Sequence, residues 1–546
     1  MSALIFLKSV TARQNAIKEI QKRVSKMYAL TCEVVVLYQG GQYHNYCYRI
    51  YSDIRLVFAL EKSVGFFGGD TDNFEYPRYT LDVAFLRAYE NGKPAKTPYH
   101  FKWSKSGAKE GELIFVSGHP GRTARLLTSS ALKTERDVRV PFLLDLFRRR
   151  ELTTRQFMIR GKEQKRTAES DLFSWQNSRK LYVGKIRGLQ NPKLTADKEA
   201  SEKKFFKDFY NDAVLSGKYA NGLIMIKDAQ ETLRKDYAKY ILLVRGLGFD
   251  SRLFGYAQSI ASGNTEAAKA VLEARAEEPP LNLEYEEAKL KDSLTHFIEV
   301  FGMEDDVVKG MPLRLWGGPS EMAHGFVYGT VISDINTHHK VVEGMNDPAD
   351  DGDGTDPMLG LAEYVKLQSE KYRKSYNDTL EQERRGYALL SDALSQGYGT
   401  SGYPDATFTL RLAFGTTSRY SEKGKTILPW TTIGGAYRHA GEFNNRGDHQ
   451  LPARWYLRKK FVRLSTPFNF VSDVDITGGN SGSPVFNKNR EIVGLVFDSN
   501  IDGLVSDYDY NYAPEARAIS VHSAGIVEIL SKIYKANRLV KELTEK

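Results

Sequence analysis

The order of the predicted secondary structure most constrains the fold, because strands at both ends of the chain enclose a long helical block. Short runs of β-favouring residues, bounded by Gly, Pro, Asp and Asn, predict strands. The first group covers residues 32–38, 43–50, 55–59, 83–89 and 113–117, and the second covers 407–414, 461–464, 484–486, 492–497 and 518–521. Residues 132–396 carry the pattern of long amphipathic helices, and further helices are predicted over 1–27 and 524–543. The fold class is therefore mixed β and α.

One long helix is predicted with both of its ends. Asp356 is a good N-cap residue, and Pro357 suits the first helical position. Apolar residues then recur at helical spacing as far as Gly397, a residue at which helices commonly end.

The first two strands form a predicted hairpin around Gly40-Gly41. A two-residue turn there would place Cys32 opposite Arg49 and Cys47 opposite Val34. The chain has only 2 cysteines. We therefore expect no disulfide between them.

Composition and charge restrict the class of protein. The 546 residues are 41% hydrophobic with a mean hydropathy of −0.44, and no run of about 18 apolar residues exists, which excludes a membrane span. Residues 131–240 hold 25 Lys and Arg against 15 Asp and Glu. Such an excess could contact nucleic acid, but no nucleic-acid motif accompanies it. We expect solvated helix faces and no nucleic-acid partner.

Three apparent ligand motifs fail on their spacing. The Asp-rich stretch 347–356 lacks the Glu that would complete a calcium loop. Gly424-Lys425-Thr426 lacks the glycine that a phosphate-binding loop needs five residues earlier. His338 and His339 are adjacent and point in different directions, so we expect surface histidines. The sequence predicts no metal and no cofactor.

The stretch with the clearest chemical meaning is TGGNSGSP at residues 477–484, which predicted strands follow. A serine nucleophile needs a tight turn that exposes its hydroxyl, and backbone N–H groups aimed at the developing oxyanion. Glycines two residues before Ser481 and directly after it permit this turn. The N–H groups of Gly479 and Ser481 would form the oxyanion hole. The α/β-hydrolase elbow would need Gly at 483 and a following helix, so that fold is excluded.

This loop resembles that of the chymotrypsin-like serine peptidases, and Asp82 lies where their acid lies, at the start of a strand. Further motifs narrow the resemblance to the bacterial dipeptidyl-peptidase 7 and 11 family. They are GGDTDNF (68–74), YPR (76–78), GHPGRT (118–123), FDSN (497–500) and AISVHS (518–523). The resemblance covers nearly the whole chain from about residue 10.

The resemblance implies a chymotrypsin-like double β-barrel with a large inserted all-α domain that caps the cleft. The implied segments are a leading helix with an incomplete first barrel (1–112), the start of the second barrel (113–131), the helical insertion (132–398), and the remaining barrel with a C-terminal helix (399–546). It also implies a homodimer in the periplasm, or a secreted one, that acts on peptides with a free N-terminus.

The family's roles pass to matching residues of this chain. Ser481 would be the nucleophile, and Asp82 would orient the catalytic His. Asn73 and Asp498 would hold the free α-amine of the substrate, whose desolvation a carboxylate and an amide oxygen would offset. Ser499 lies where members that prefer acidic residues have Arg, so we expect a neutral or hydrophobic second residue. Phe74 replaces the family's usual Trp beside this subsite.

The catalytic His of the family lies upstream of Asp82 in a motif that this sequence does not contain. The one histidine before Asp82 is His44, which lies within a predicted strand, and we expect it to be structural. A triad without its His loses about 10⁶ in kcat. We expect a chain that begins too late to include the His, the first barrel strands and a signal peptide.

The leading hypothesis for the function is a serine dipeptidyl-peptidase. The alternatives are a catalytically inactive peptide-binding homologue or gene remnant, and a nucleic-acid-binding protein.

Overall fold

The structure, a computed structural model, describes residues 10–311, 317–343, 356–399, 402–510 and 513–545. The chain divides into two compact units. Unit 1 contains Met1–Lys133, Val183–Ile226 and Arg384–Lys546, and unit 2 contains Thr134–Tyr182 and Lys227–Glu383. The four segments expected from the sequence remain a prediction about domains.

All of the strands lie in unit 1. In chain order they are β1 (Thr31–Leu37), β2 (Gln42–Tyr48), β3 (Asp53–Ala59), β4 (Ala84–Glu90), β5 (Lys93–Pro94), β6 (Lys102–Trp103), β7 (Leu113–Gly118), β8 (Arg411–Thr416), β9 (Tyr420–Glu422), β10 (Lys425–Ile427), β11 (Trp430–Thr432), β12 (Pro467–Ser472), β13 (Pro484–Asn487), β14 (Glu491–Ser499) and β15 (Ala518–His522).

The largest sheet has the order β11-β12-β15-β14-β13-β7-β8, and β6 pairs with β14. Neighbouring strands along this path are antiparallel, whereas β6 runs parallel to β14. Many of its buried side chains are β-branched or aromatic, as suits strands with a packed face; they include Ile114, Phe470, Val485 and Val493. The sheet therefore places the start of β13 and the end of β14 side by side.

Three smaller sheets complete the β structure: β3-β4-β5, β1-β2 and β9-β10. The mixed β and α class is confirmed, and its sheets are mainly antiparallel. Most of the predicted strands are present with shifted ends, but the strand expected at 461–464 is wrong. Residues Lys459–Phe461 form a short 3₁₀ helix there, and the strand is Pro467–Ser472 instead.

The β1–β2 hairpin differs from its prediction in register. Leu37 pairs with Gln42, so four residues connect the strands, and Tyr38–Gly40 forms a 3₁₀ turn. Cys32 therefore lies opposite Cys47, and the two form a disulfide. The expected absence of this disulfide is wrong because the turn is two residues longer than the glycine pair indicated.

The α-helices lie in both units. Their bounds in chain order are Val10–Tyr28, Lys62–Gly65, Gly69–Asp72, Ser129–Thr134, Val140–Met158, Lys162–Leu189, Pro192–Asp208, Ala213–Lys239, Arg252–Ala261, Thr265–Ala276, Leu283–Phe301, Asp306–Lys309, Pro319–Tyr328, Ile335–Val342, Pro357–Tyr398, Ile433–Glu442, Ala453–Arg458, Ser523–Lys532 and Asn537–Thr544. Within the described ranges, no helix has the length and apolar character needed to cross a membrane.

The helix ends follow the capping signals of the sequence. The Asp356 carboxylate accepts hydrogen bonds from the N–H groups of Met358 and Leu359, 2.9 and 3.0 Å away. This confirms the N-cap of the long helix Pro357–Tyr398. The final helix is broken in two, and Lys535, between the halves, has a left-handed φ of 55°.

Unit 2 is built from helices around its own apolar core. Buried residues of this core include Leu253, Leu290, Leu294 and Met322. His338, expected at the surface, is fully buried and contacts an Arg275 guanidinium nitrogen through Nδ1 at 2.8 Å. His339 is exposed as expected. Residues 347–355 of the Asp-rich stretch lie outside the described residues.

Candidate active site

The loop before β13 exposes Ser481 and buries Asn480 and Ser483. Asn480 donates from its N–H to Thr477 O at 3.1 Å, and Ser483 donates to Asn480 O at 2.9 Å. Gly479 and Gly482 adopt left-handed φ values of 106° and 86°. A Cβ on Gly479 would lie 2.5 Å from His119 O, so only glycine fits there without a shift of backbone.

Two backbone N–H groups of this loop are available to a ligand. Among the described residues, the N–H groups of Gly479 and Ser481 have no hydrogen-bond acceptor, whereas the N–H of Gly482 donates to Val496 O at 2.7 Å. The Ser481 hydroxyl is exposed and donates to Phe497 O at 3.2 Å. The loop thus holds a serine hydroxyl beside two free N–H groups and beside the residue that precedes Asp498.

Asp498 lies near the end of β14 and is buried, with 8% of its side chain exposed. One carboxylate oxygen, Oδ2, accepts from Arg78 Nη1 at 2.9 Å and from Phe74 N at 3.2 Å. The other, Oδ1, accepts from Ser499 N at 2.8 Å. Burial raises the pKa of Asp498, and the Arg78 guanidinium and the backbone donors oppose that rise. Three of about four acceptor positions on the carboxylate are filled.

Asn73 and Phe74 follow the short helix Gly69–Asp72. Asn73 ends this helix and is 6% exposed, and Phe74 has a left-handed φ of 54° that turns its N–H towards Asp498. Arg78 ties the two segments together, because its Nη1 also donates to Asp72 O. The predicted amine-binding residues Asn73 and Asp498 therefore lie on adjoining segments.

Asp82 precedes β4 and is exposed. Desolvation by the surrounding protein raises its pKa, the nearby Arg78 lowers it, and Asp498 raises it. Asp82 thus shares the electrostatic environment of the Arg78–Asp498 pair.

All ten histidines lie in the described residues, and no hydrogen bond joins one of them to Ser481 or Asp82. His44 lies on β2, exposed, and contacts Gln42. His522 is fully buried, with Nε2 3.3 Å from Ala108 O. His119 is exposed and lies against the ring of Phe408.

A small pocket adjoins Ser499. Part of its lining consists of small side chains: Ser499, Gly503, Ser506, Ala516 and Ala518. Charged lining residues are largely paired, since Asp475 accepts from Arg125 at 2.6 Å and Asp473 accepts from Thr416 N. Arg517 donates from Nη1 to Pro514 O and Ala516 O, but its buried Nε has no partner among the described residues.

Sequence reasoning missed two features of this region. The buried pairing of Arg78 with Asp498 joins residues 420 positions apart, and no local pattern signals it. Asp72, His439 and His449 also meet, with ligand atoms within 4.8 Å of one another. This cluster could hold a metal ion, although the sequence analysis predicted none.

The exposed serine, the flanking N–H groups and the antiparallel sheet match a class of serine peptidases, and the comparisons agree. The chain belongs to the Peptidase S46 family, whose profile it matches over residues 7–545. By this family resemblance it is a serine-type dipeptidyl-peptidase.

Two relatives with different names are similar to the chain. The Asp/Glu-specific dipeptidyl-peptidase of Shewanella putrefaciens is 28% identical over 97% of this chain and 79% of that protein. Dipeptidyl-peptidase 7 of Porphyromonas endodontalis is 27% identical over 98% of this chain and 69% of that protein. The crystal structure of Porphyromonas endodontalis DPP11 with the dipeptide Arg-Glu has the same fold, with a TM-score of 0.83 and 21% identity over 100% of this chain and 82% of that one.

Proposed function

We propose that this chain binds the free N-terminus of a peptide and removes a dipeptide by acyl transfer to Ser481. The observation that carries the proposal is the hydrogen bond from Ser481 Oγ to Phe497 O, the residue next to Asp498. It places the nucleophile close to the buried carboxylate of the amine site. A fixed distance between the amine site and the nucleophile would place the second peptide bond of the substrate at Ser481.

In this mechanism Ser481 Oγ loses its proton and attacks the second peptide carbonyl. The second peptide bond then breaks, the shortened peptide leaves with that proton on its new amine, and water hydrolyses the acyl-enzyme ester to release the dipeptide. The negative charge that develops on the carbonyl oxygen is stabilised by the N–H groups of Gly479 and Ser481. Asp82 would orient the base that takes the serine proton, which is an imidazole in triads of this kind. Without that imidazole, acyl transfer falls by about 10⁶ in kcat. The sequence prediction that none of this chain's histidines is that base stays a proposal, which the separate contacts of His44, His119 and His522 support.

The substrate amine is held by Asn73 and Asp498. A charge-assisted hydrogen bond to a buried carboxylate is about twice as strong as a neutral one. Asp498 retains one acceptor position for the ammonium, and the Arg78 pair keeps its carboxylate in place. An N-acetylated peptide has no such charge and would not bind productively.

The second residue of the substrate would enter the pocket beside Ser499. Small side chains and paired charges support a neutral or hydrophobic preference. A second candidate is an acidic preference, which the unpartnered Nε of Arg517 favours. The Asp/Glu specificity in the name of one relative agrees with the second candidate. The name of the other relative, dipeptidyl-peptidase 7, states no residue preference.

Three further properties, the detailed fold, the oligomeric state and the location, complete the proposal. We propose the chymotrypsin-like double β-barrel, with an incomplete first barrel and the helical insertion 132–398, as the finer description of the fold. A homodimer is proposed from the family alone and is tested by the mass in solution. Export to the periplasm is supported by the Cys32–Cys47 disulfide, because disulfides persist in oxidising compartments.

The deciding experiment measures dipeptide release from peptides with free and with acetylated N-termini. We compare the unmodified chain with Ser481→Ala, and we use Ser483→Ala as the control on the same loop. Release from the free peptide alone, abolished in Ser481→Ala and kept in Ser483→Ala, supports the proposal. Equal release by Ser481→Ala, or equal cleavage of the acetylated peptide, refutes the nucleophile or the amine site.

The same peptides test the alternative of an inactive peptide-binding homologue. That alternative predicts no cleavage, together with calorimetric binding of the free peptide but not of the acetylated one. A panel of peptides that differ only at the second residue (Leu, Met, Gln, Glu and Asp) then separates the two specificities. Arg517→Gln lowers kcat/KM for Asp and Glu peptides alone if the acidic preference is correct.

A further inference from the structure

Asp72, His439 and His449 form a buried cluster that the catalytic proposal does not use. Asp72 ends the helix Gly69–Asp72, His439 lies on the helix Ile433–Glu442, and His449 lies on the 3₁₀ turn Gly447–His449. His439 Nε2 is 2.9 Å from Asp72 Oδ2, and His449 Nε2 is 3.7 Å from Asp72 Oδ1. All three residues belong to unit 1.

The three ligand atoms have the spacing of a metal site. Zn²⁺ with bonds of about 2.0–2.1 Å in tetrahedral geometry holds its ligand atoms about 3.3 Å apart. The two distances, which run to different oxygens of the Asp72 carboxylate, lie on either side of this value, and one ligand atom from each residue lies within 4.8 Å of the others. Side-chain movements would therefore be needed to complete the coordination. Two imidazoles and one carboxylate are a common zinc ligand set, which leaves a fourth position for a water molecule or another ligand.

His449 supplies an independent sign of a ligand. Its side chain is 5% exposed, and its Nε2 is a buried polar atom with no hydrogen-bond partner in the described part of the chain. That nitrogen points into the cluster, 3.7 Å from Asp72 Oδ1. A buried imidazole nitrogen without a partner costs free energy, and a bound cation would satisfy it.

The surroundings orient both rings. His439 Nδ1 is 2.8 Å from Glu442 Oε2, so the carboxylate accepts a hydrogen bond from Nδ1–H in the tautomer whose Nε2 lone pair faces Asp72. The His449 ring stacks on Phe443, with centroids 3.6 Å apart and planes 7° apart. Phe67 packs edge-on against both imidazoles. An outer carboxylate and an apolar shell of this kind are typical around bound metals.

From this geometry we infer that Asp72, His439 and His449 bind one divalent cation of the zinc type. The site is a positioning site for the amine-binding segment. Asp72 directly precedes Asn73, and its carbonyl oxygen accepts from Arg78, which pairs with Asp498. Fixing the Asp72 carboxylate to a metal would therefore hold Asn73 and Arg78 in place.

The competing explanation is a metal-free ion pair. A protonated His439 could donate to Asp72 from Nε2 and to Glu442 from Nδ1. That arrangement satisfies His439 but leaves His449 Nε2 without a partner. The two explanations differ in whether the protein binds metal, and that can be measured without any enzyme assay.

The experiment measures Zn²⁺ bound to the full chain by equilibrium dialysis and elemental analysis, and Co²⁺ by its visible absorption. We expect one equivalent of Zn²⁺, the intense d–d bands of four-coordinate Co²⁺, and a higher Tm with Zn²⁺. His449→Ala and His449→Gln should each lose the metal and the Tm shift. His324→Ala is the matched control, because His324 also pairs with a carboxylate, Glu287, but belongs to no three-residue cluster in the described chain.

The results decide the inference whether or not the chain cleaves peptides. Binding of well under one equivalent, or equal binding by His449→Ala and His449→Gln, would overturn it. If His449→Ala does not fold, His449→Gln and the Co²⁺ spectrum of the unmodified chain still decide. Loss of metal with a raised KM and an unchanged kcat for free-amine peptides would establish the positioning role. That last result rests on the proposed function, whereas the metal binding itself does not.

Discussion

At the scale of single residues, the arrangement around Asp498 separates two tasks. Arg78 is 2% exposed and neutralises the buried carboxylate, while the backbone donors of Phe74 and Ser499 fix its orientation. In the proposed amine site, the remaining acceptor position of Asp498 and the Asn73 side chain would together hold a substrate ammonium. Recognition would then depend on Asn73 more than an isolated carboxylate site requires.

The first prediction concerns Asn73. Asn73→Ala should raise KM for free-amine peptides about 10- to 100-fold, because a hydrogen bond to a charged group contributes about 1.5–3 kcal/mol. The acyl-transfer groups are untouched, so kcat should change little. Steady-state kinetics measure both constants, and Asn45→Ala, at an exposed position on β2, is the control. An unchanged KM would remove Asn73 from the amine site.

The second prediction concerns the Arg78–Asp498 pair. Arg78→Leu should lower the free energy of unfolding by about 3–5 kcal/mol, because it leaves a buried carboxylate without its counter-ion. Adding Asp498→Leu should restore most of that loss. Arg55→Leu is the control, since the Arg55–Asp53 pair is exposed and such pairs contribute about 0–1 kcal/mol. Urea unfolding measures the three variants and the unmodified chain, and equal losses for Arg78→Leu and Arg55→Leu would contradict the argument.

At the scale of elements, the β1–β2 hairpin shows what a sequence pattern leaves undetermined. The predicted turn pairs Cys32 with Arg49, and the observed turn pairs it with Cys47. The two registers differ by two residues, and side chains alternate with a period of two. Inward and outward faces are therefore the same in both registers, so the hydrophobic pattern could not distinguish them. Left-handed φ values at Tyr38 and Gln39 produce the longer turn, and neither residue type signals them.

The third prediction follows from this hairpin. The disulfide spans 15 residues, and a closure of that length stabilises by about 3 kcal/mol in the chain-entropy description. Cys32→Ser with Cys47→Ser, and the unmodified chain in reductant, should lose similar stability. Thermal unfolding with and without reductant measures the loss, and the double variant is the control because reductant should not affect it. Two titratable thiols in the purified, unreduced protein would contradict the pairing.

Local sequence signals were sufficient to predict those features that depend only on residues close together in the sequence. The cap at Asp356 and the turn around Ser481 were predictable because N-capping and glycine φ are local properties. The strand 467–472 was missed because it begins at Pro467, which a strand tolerates only at its start or edge. The cluster of Asp72 with His439 and His449 was not predictable, since 367 residues separate the first two.

The fourth prediction concerns the helix Ser523–Lys532. Its N-cap is His522, whose Nδ1 accepts from Ala524 N at 3.3 Å, and burial lowers the pKa of His522 to about 4. A proton on Nδ1 would remove this acceptor and place a charge at the positive end of the helix. The unfolded chain, with an ordinary His pKa of about 6.5, binds that proton more tightly.

The sign of the pH effect follows from this difference. Stability from neutral His522 is complete above about pH 6.5 and is lost as the pH falls towards 4, by about 1.4 kcal/mol per unit and about 3 kcal/mol in all. His522→Asn keeps a capping acceptor that does not titrate, so its unfolding free energy should fall less with acid. Urea unfolding across this pH range measures the difference, and His44→Asn should behave as the unmodified chain does.

At the scale of the whole molecule, the basic excess of residues 131–240 is met by acidic partners from other parts of the chain. Arg149 pairs with Asp292 at 3.1 Å, Lys185 with Asp507 at 2.9 Å, and Lys218 with Asp392 at 2.6 Å. Pairs within single helices, such as Arg139 with Glu135, add to these. These pairs neutralise part of the excess within the fold.

The fifth prediction follows from this distribution of charge. Nucleic acid should bind no more tightly than the non-specific range of about 10⁻⁴–10⁻⁶ M at physiological salt. Fluorescence anisotropy with labelled single- and double-stranded DNA, across a salt series, measures this. Lys203→Glu with Lys207→Glu, on the helix Pro192–Asp208, is the comparison. Tight binding that falls steeply with salt and weakens in this variant would favour a nucleic-acid partner, because phosphate contacts release counterions in proportion to their number. The expected weak binding, unchanged in this variant, instead leaves the net charge of +9 as a property of solubility and encounter rate.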